Sequence, residues 1–159
     1  MNAVTRQAER DALRAELRHR ILMQNALLQT APVVFLVGVL GMAAHPAQAW
    51  SLAAALNAVF LAAASQWCHH GVRTAQLKAF LVLHDPDEDG WEFWLPRNRP
   101  RTLLGSRWLI STKGVFLGLG LAALLIAIEV GHALQVAPAL LSLIALAASA
   151  YLLLSNPKE

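Results

Sequence analysis

Residues Ile21 to Val72 read ILMQNALLQTAPVVFLVGVLGMAAHPAQAWSLAAALNAVFLAAASQWCHHGV and contain no Asp, Glu, Lys or Arg. One helix that crosses a bilayer needs about 20 apolar residues, so this stretch has room for two spans. Proline cannot donate a backbone hydrogen bond, and it disfavours helix at the residue before it. We therefore predict a turn at His45-Pro46 between two spans, Ile21 to Ala44 and Gln48 to Trp67.

A second stretch, Gly114 to Pro157, has the same character and contains one charged residue, Glu129. Gly131-His132 interrupts it, so we predict further spans at Trp108 to Glu129 and Ala133 to Leu154. Backbone amides in hydrocarbon must be paired within the chain, which favours helices in such stretches. The predicted fold class is all-α: a polytopic membrane protein with four transmembrane helices, arranged as two hairpins with cytoplasmic helical extensions.

The composition of the 159 residues agrees with this prediction. Hydrophobic residues make up 57% of the chain and charged residues 14%, and the mean hydropathy is +0.47. Soluble proteins contain about 25% charged residues, so a disordered chain is excluded and an ordinary soluble domain is disfavoured. The single cysteine, Cys68, excludes an internal disulfide and a multi-cysteine zinc site.

Basic residues are segregated relative to the four spans. None of the 13 lies in the two short turns, and their positions are Arg6, Arg10, Arg14, Arg18, Arg20, Arg73, Lys78, Arg97, Arg99, Arg101, Arg107, Lys113 and Lys158. This positive-inside pattern predicts a multi-pass membrane protein with both termini cytoplasmic. Because topology explains the basic charge, we do not expect nucleic acid as a partner.

The predicted organisation follows from these spans. It comprises a cytoplasmic basic helix (1–20), a first transmembrane hairpin (21–67), a cytoplasmic helix with an interfacial Trp/Arg loop (68–107), a second hairpin (108–154) and a cytoplasmic tail (155–159). The arginines that recur every four residues before span one form either a solvated or headgroup-facing stripe or a docking surface for an acidic partner. Span two is predicted to continue as a helix, Val72 to Leu83, until Asp85-Pro86 ends it.

Three sets of residues are candidates for contacts. Polar residues inside the spans either hydrogen-bond between helices or line a hydrated path in an oligomer: Gln24, Asn25, Gln29, Thr30 and Asn57. Gly114 and Gly118 form a small-xxx-small face for helix packing, within one protomer or between subunits. Aromatic and arginine residues of the interfacial loop are predicted to contact lipid or a partner: Trp91, Trp94, Arg97, Arg99, Arg101 and Arg107.

Catalytic chemistry has little support in the sequence. His69 and His70 are adjacent and point about 100° apart on a helix, so they cannot readily chelate one ion. The acidic segment Asp85 to Gly90 resembles half of a calcium loop, but Pro96 stands where the closing Glu is needed. We therefore predict no catalytic residue, no metal and no cofactor. A small membrane enzyme that uses His69, His70 or Asp85 to Asp89 is kept as a third hypothesis.

The helix Glu9 to Arg18 and the stretch Trp67-Cys68-His69-His70 through Thr74 to Leu77 and on to Gly90-Trp91-Glu92 resemble small uncharacterised bacterial membrane proteins. The order of charged helix, membrane hairpin and projecting helix is similar to SLATT-type effectors of bacterial nucleotide-signalling defence and to CRISPR-associated membrane accessory proteins. This resemblance in layout covers about the first 95 residues. It implies a homo-oligomeric antiviral component of the bacterial inner (cytoplasmic) membrane that permeabilises or perturbs that membrane. The alternative is a membrane scaffold that recruits a cytoplasmic partner.

Overall fold

The computed structural model describes residues 3–84, 112–131 and 133–155, and it contains no strand in these ranges. They hold four α-helices: α1, Ala3–Ala44; α2, Ala49–His84; α3, Thr112–Val130; and α4, Val136–Ser155. The short 3-10 helix Pro46–Gln48 joins α1 to α2. Each α-helix is long and apolar enough to cross a membrane. The predicted all-α class and the four apolar helices are confirmed.

Two helix boundaries lie close to prolines, whereas Pro32 lies inside α1. Helix α1 ends at Ala44, directly before the predicted turn. Helix α4 begins at Val136 and not at Ala133, where the sequence predicts the start of the fourth span. Because proline has no N–H group, it is tolerated in the first helical turn, where N–H groups have no acceptor within the helix. A start at Val136 places Pro138 in that first turn.

Helix α2 lies at the centre of the fold. It contacts each of the other three helices, and α4 packs more extensively against α2 than against α3. Small residues allow these helices to approach closely, and the alanines in the core are Ala31, Ala49, Ala53, Ala64, Ala123, Ala127 and Ala139. Phe60 and Phe116 are fully buried and fill the wider spaces.

Helix lengths divide the fold into a four-helix part and a two-helix part. Helices α3 and α4 have 19 and 20 residues, or about 30 Å, which matches the hydrocarbon thickness of a bilayer. Helices α1 and α2 have 42 and 36 residues, or about 63 and 54 Å. The excess therefore extends beyond α3 and α4.

Two hydrogen bonds mark the level at which the four-helix part ends. The Cys68 thiol donates to the carbonyl of Leu152, near the end of α4, at 3.8 Å. The Gln24 amide donates to the carbonyl of Trp67 at 3.1 Å and joins α1 to α2 at that level. Residues 3–23 of α1 and 69–84 of α2 continue past it as a pair of helices, which we call the projecting pair.

The opposite end of the fold is closed by the connection between α3 and α4. The side chain of Gln135 donates to the carbonyl of Ala47 at 2.7 Å and accepts from the Ser51 hydroxyl at 3.3 Å. These bonds hold residue 135 outside the helix, which agrees with the late start of α4. The described basic residues all lie at the other end, on the projecting pair or, for Lys113, in the first turn of α3.

Candidate functional site: a buried polar cluster and a charged groove

Asn57 is the central polar residue of the four-helix part. Its side chain is 1% exposed, and its amide nitrogen is 2.7 Å from the Ser142 hydroxyl, 3.3 Å from the Gly120 carbonyl and 3.2 Å from the Ala53 carbonyl. These contacts join α2 to both α3 and α4. We call Asn57, Gly120 and Ser142 the polar cluster.

Gly120 is a glycine that allows close packing within the protomer. A Cβ atom at this position would lie 2.5 Å from Asn57 Oδ1 and 3.0 Å from Leu146 Cδ1. The sequence pattern favours Gly114 and Gly118 instead. Gly114 is half-buried, whereas Gly118 is exposed. A Cβ atom added to Gly118 would meet no atom of the other described helices within 4 Å, so the face of Gly118 points away from the protomer core. Packing of Gly118 against another subunit stays a prediction.

The remaining polar candidates all lie on α1 and differ in their surroundings. Gln24 is bonded to α2, as described above, and the Thr30 hydroxyl donates to carbonyls of its own helix, those of Ala26 at 3.0 Å and Leu27 at 3.1 Å. Asn25 and Gln29 are exposed, and neither carboxamide is hydrogen-bonded to any residue in the described ranges. Their role in an oligomer stays a prediction.

A double-mutant cycle measures the strength of the polar cluster. We expect Asn57→Ala and Ser142→Ala each to destabilise the fold, with a coupling energy of about 1 kcal/mol, because interhelical hydrogen bonds in membrane proteins contribute about 0.6 to 1.7 kcal/mol. Unfolding in detergent of the wild-type protein, the two single variants and the double variant gives this coupling energy. Strictly additive effects would show that the 2.7 Å contact between Asn57 and Ser142 contributes no stability.

A groove runs between the two helices of the projecting pair. Its volume is about 640 Å³, and its lining is Glu9, Leu13, Glu16, Arg20, His69, Arg73, Gln76, Leu77 and Phe80. Residues 9, 13, 16 and 20 of α1 are spaced four, three and four apart, and residues 69, 73, 76 and 80 of α2 repeat the same spacing. This is the spacing with which helices pack side by side in coiled coils. The lining residues therefore form one continuous stripe along each of the two helices.

Charge varies along the groove. At the end near the four-helix part, Arg20 donates to Glu16 Oε1 at 2.9 Å through Nε and at 2.5 Å through Nη2, and Arg73 donates to Gln76 at 3.2 Å. His69 also lines this end, whereas Glu9 and Phe80 line the far end. Because Arg20 and Arg73 carry two positive charges and Glu16 carries one negative charge, this end of the groove is basic.

Metal-binding side chains do not converge in the part of the chain that the structure describes. Cys68 is buried against α4. The rings of His69 and His70 lie 5.9 Å apart, with 69° between their planes. The acidic segment Asp85 to Gly90 and the lipid or partner candidates of the interfacial loop lie outside the described residues: Trp91, Trp94, Arg97, Arg99, Arg101 and Arg107.

Comparison with known proteins gives no match to a family model, to a curated protein or to a solved structure.

Proposed function

We propose that this chain is a multi-pass protein of the bacterial inner membrane, with both termini in the cytoplasm, whose projecting pair docks a soluble protein. The observation that carries the proposal is the excess length of α1 and α2 over α3 and α4. A protein that only anchors itself needs helices of about 20 residues. Here two helices continue about 24 to 32 Å further, as judged from 1.5 Å per residue.

The chemistry of the groove indicates what kind of partner it receives. Leu13 and Leu77 supply apolar contact, while Arg20 and Arg73 supply positive charge at the end nearest the membrane. An amphipathic helix with acidic residues at its membrane-proximal end fits both features. The proposed partner is therefore a cytoplasmic protein that contributes such a helix.

Site-specific photo-crosslinking in cells tests this proposal. A photoreactive amino acid at Gln76, in the groove, is expected to give a discrete crosslinked protein, whereas the same amino acid at Ala12, an exposed position outside the groove, gives none. Arg73→Glu should lower the crosslink about tenfold, since a close charge pair at an interface contributes about 1.5 kcal/mol or more.

Arg18→Glu is the matched control for charge. Arg18 is an exposed arginine close to the same end of the projecting pair, but it does not line the groove. We expect this variant to keep the crosslink at Gln76. Equal losses with Arg18→Glu and Arg73→Glu would indicate that general charge, and not the groove, recruits the partner.

A second candidate function is an oligomeric effector, with the antiviral role that the resemblance in layout implies, in which the docked partner triggers membrane permeabilisation. The observation that favours it is the outward orientation of Asn25 and Gln29. Because Asn57 is enclosed by α3 and α4, a polar path would lie between protomers. Release of a trapped dye from vesicles containing the protein and its crosslinked partner would support this function, and intact vesicles would contradict it.

A further inference from the structure

One face of α1 combines exposed apolar side chains with two carboxamides that have no partner in the described ranges. Residues at positions 22, 25, 29, 33, 36 and 40 lie on this face, because 18 residues make five turns of a helix. They are Leu22, Asn25, Gln29, Val33, Leu36 and Leu40, and all are exposed. We call this the outer face of α1. The buried residues Ala31 and Met42 pack on the other side of the helix.

The depth of the two carboxamides follows from the ends of α1. The stretch from Asn25 to Ala44, where α1 ends, corresponds to about 30 Å, the thickness of the hydrocarbon layer. Asn25 then lies at its edge and Gln29 about 6 Å inside it. Acyl chains offer no hydrogen-bond partner, so an unpaired carboxamide at the depth of Gln29 is unfavourable, whereas Asn25 lies at the boundary with the headgroups.

A second copy of the chain supplies the missing partner. All copies insert with the same orientation, so a two-fold axis along the membrane normal brings identical residues together at the same depth. A carboxamide has both a donor and an acceptor and can therefore pair with an identical group. Val33, Leu36 and Leu40 extend the same face with apolar contact. Arg18, one turn beyond Leu22, would face its own copy and ends the contact there.

We propose that the outer face of α1 is a symmetric interface between two copies of this chain, held by hydrogen bonds between their Asn25 and Gln29 side chains. This inference rests on the proposed membrane insertion but not on partner docking in the groove. It places the dimer contact on a face of α1 whose residues do not line the groove.

Cysteine crosslinking in native membranes tests the interface. In a Cys68→Ser background, Leu36→Cys is expected to form an oxidised dimer. The matched control is Val37→Cys, which is also exposed but is turned about 100° around the helix. Adding Asn25→Leu and Gln29→Leu to the Leu36→Cys variant should lower the dimer about fivefold, since one or two interhelical hydrogen bonds are lost.

The outcomes of these experiments separate the symmetric interface from the proposed membrane location. Equal crosslinking at positions 36 and 37, a dimer that survives both leucine substitutions, or a crosslink to a different protein would overturn the symmetric interface. An inserted chain that gives no crosslink at position 36 also overturns it, while leaving the proposed membrane location and groove intact. Release of the chain from membranes by alkaline carbonate would overturn the membrane location as well.

Discussion

Gly120→Ala is expected to lower the free energy of unfolding by about 2 kcal/mol, because overpacking a well-packed interior costs about 1 to 3 kcal/mol. The new methyl group would lie 2.5 Å from Asn57 Oδ1 and 3.0 Å from Leu146 Cδ1. Either α3 moves away from α2 and α4, or Asn57 rotates and its contacts with Gly120 and Ser142 are lost. Thermal or denaturant unfolding in detergent measures the change.

Gly118→Ala is the matched control for this prediction. The substitution is the same, the helix is the same, and no atom of the other described helices lies within 4 Å of the added methyl group. We expect unchanged stability or a gain of up to about 1 kcal/mol, because alanine favours helix over glycine. Similar losses at both positions would show that the α3 interface differs from the one described. A loss at Gly118 that appears only in the oligomer would instead support its predicted role between subunits.

The sequence does not show which of the two glycines, Gly118 or Gly120, faces the core of the protomer. Residues two apart on a helix point about 200° away from each other, so one of the two must face outward. The small-xxx-small pattern favours the face of Gly114 and Gly118. The core instead contains positions 116, 120, 123 and 127 of α3, with the spacing four, three, four. Both faces of this apolar helix fit a membrane, and only the position of Asn57 in space distinguishes them.

The helices themselves can be predicted because their cause is local. A stretch without charge, a proline after His45 and good helix formers before Ile21 are enough to predict α1 and α2. The start of α4 depends on Pro138 and on the bonds of Gln135 to Ala47 and Ser51, and these bonds are long-range contacts. Such contacts have no signature in the sequence of α4.

The groove is predictable from the sequence only in part. The sequence predicts both of its helices and an arginine stripe at 6, 10, 14 and 18, but not the register in which the helices pair. The bond between Gln24 and Trp67 shows this register. It brings Arg20 and Arg73 to the same end of the groove, while Arg18 remains exposed outside it. The sequence shows which side chains the two helices carry, but it does not show which of them come together in the groove.

Labelling of single cysteines is expected to give an all-or-none result that separates the two ends of the fold. In a Cys68→Ser background, Leu134→Cys should react with a membrane-impermeant maleimide on intact spheroplasts, because Leu134 lies exposed in the connection between α3 and α4. Ala79→Cys, exposed on the projecting pair, should react only after permeabilisation. The physical reason is that basic residues are retained on the cytoplasmic side during insertion.

A third position separates orientation from insertion. Leu125 is 54% exposed on the surface of the protomer, yet it lies within α3, where hydrocarbon would cover it. Leu125→Cys should therefore stay unlabelled before and after permeabilisation, because maleimide reacts with the thiolate and a thiolate does not form in hydrocarbon. Labelling of Ala79→Cys on intact spheroplasts would reverse the proposed orientation and move the groove out of the cytoplasm. Labelling of Leu125→Cys would show that water covers the apolar surface, and the spans would not be membrane spans.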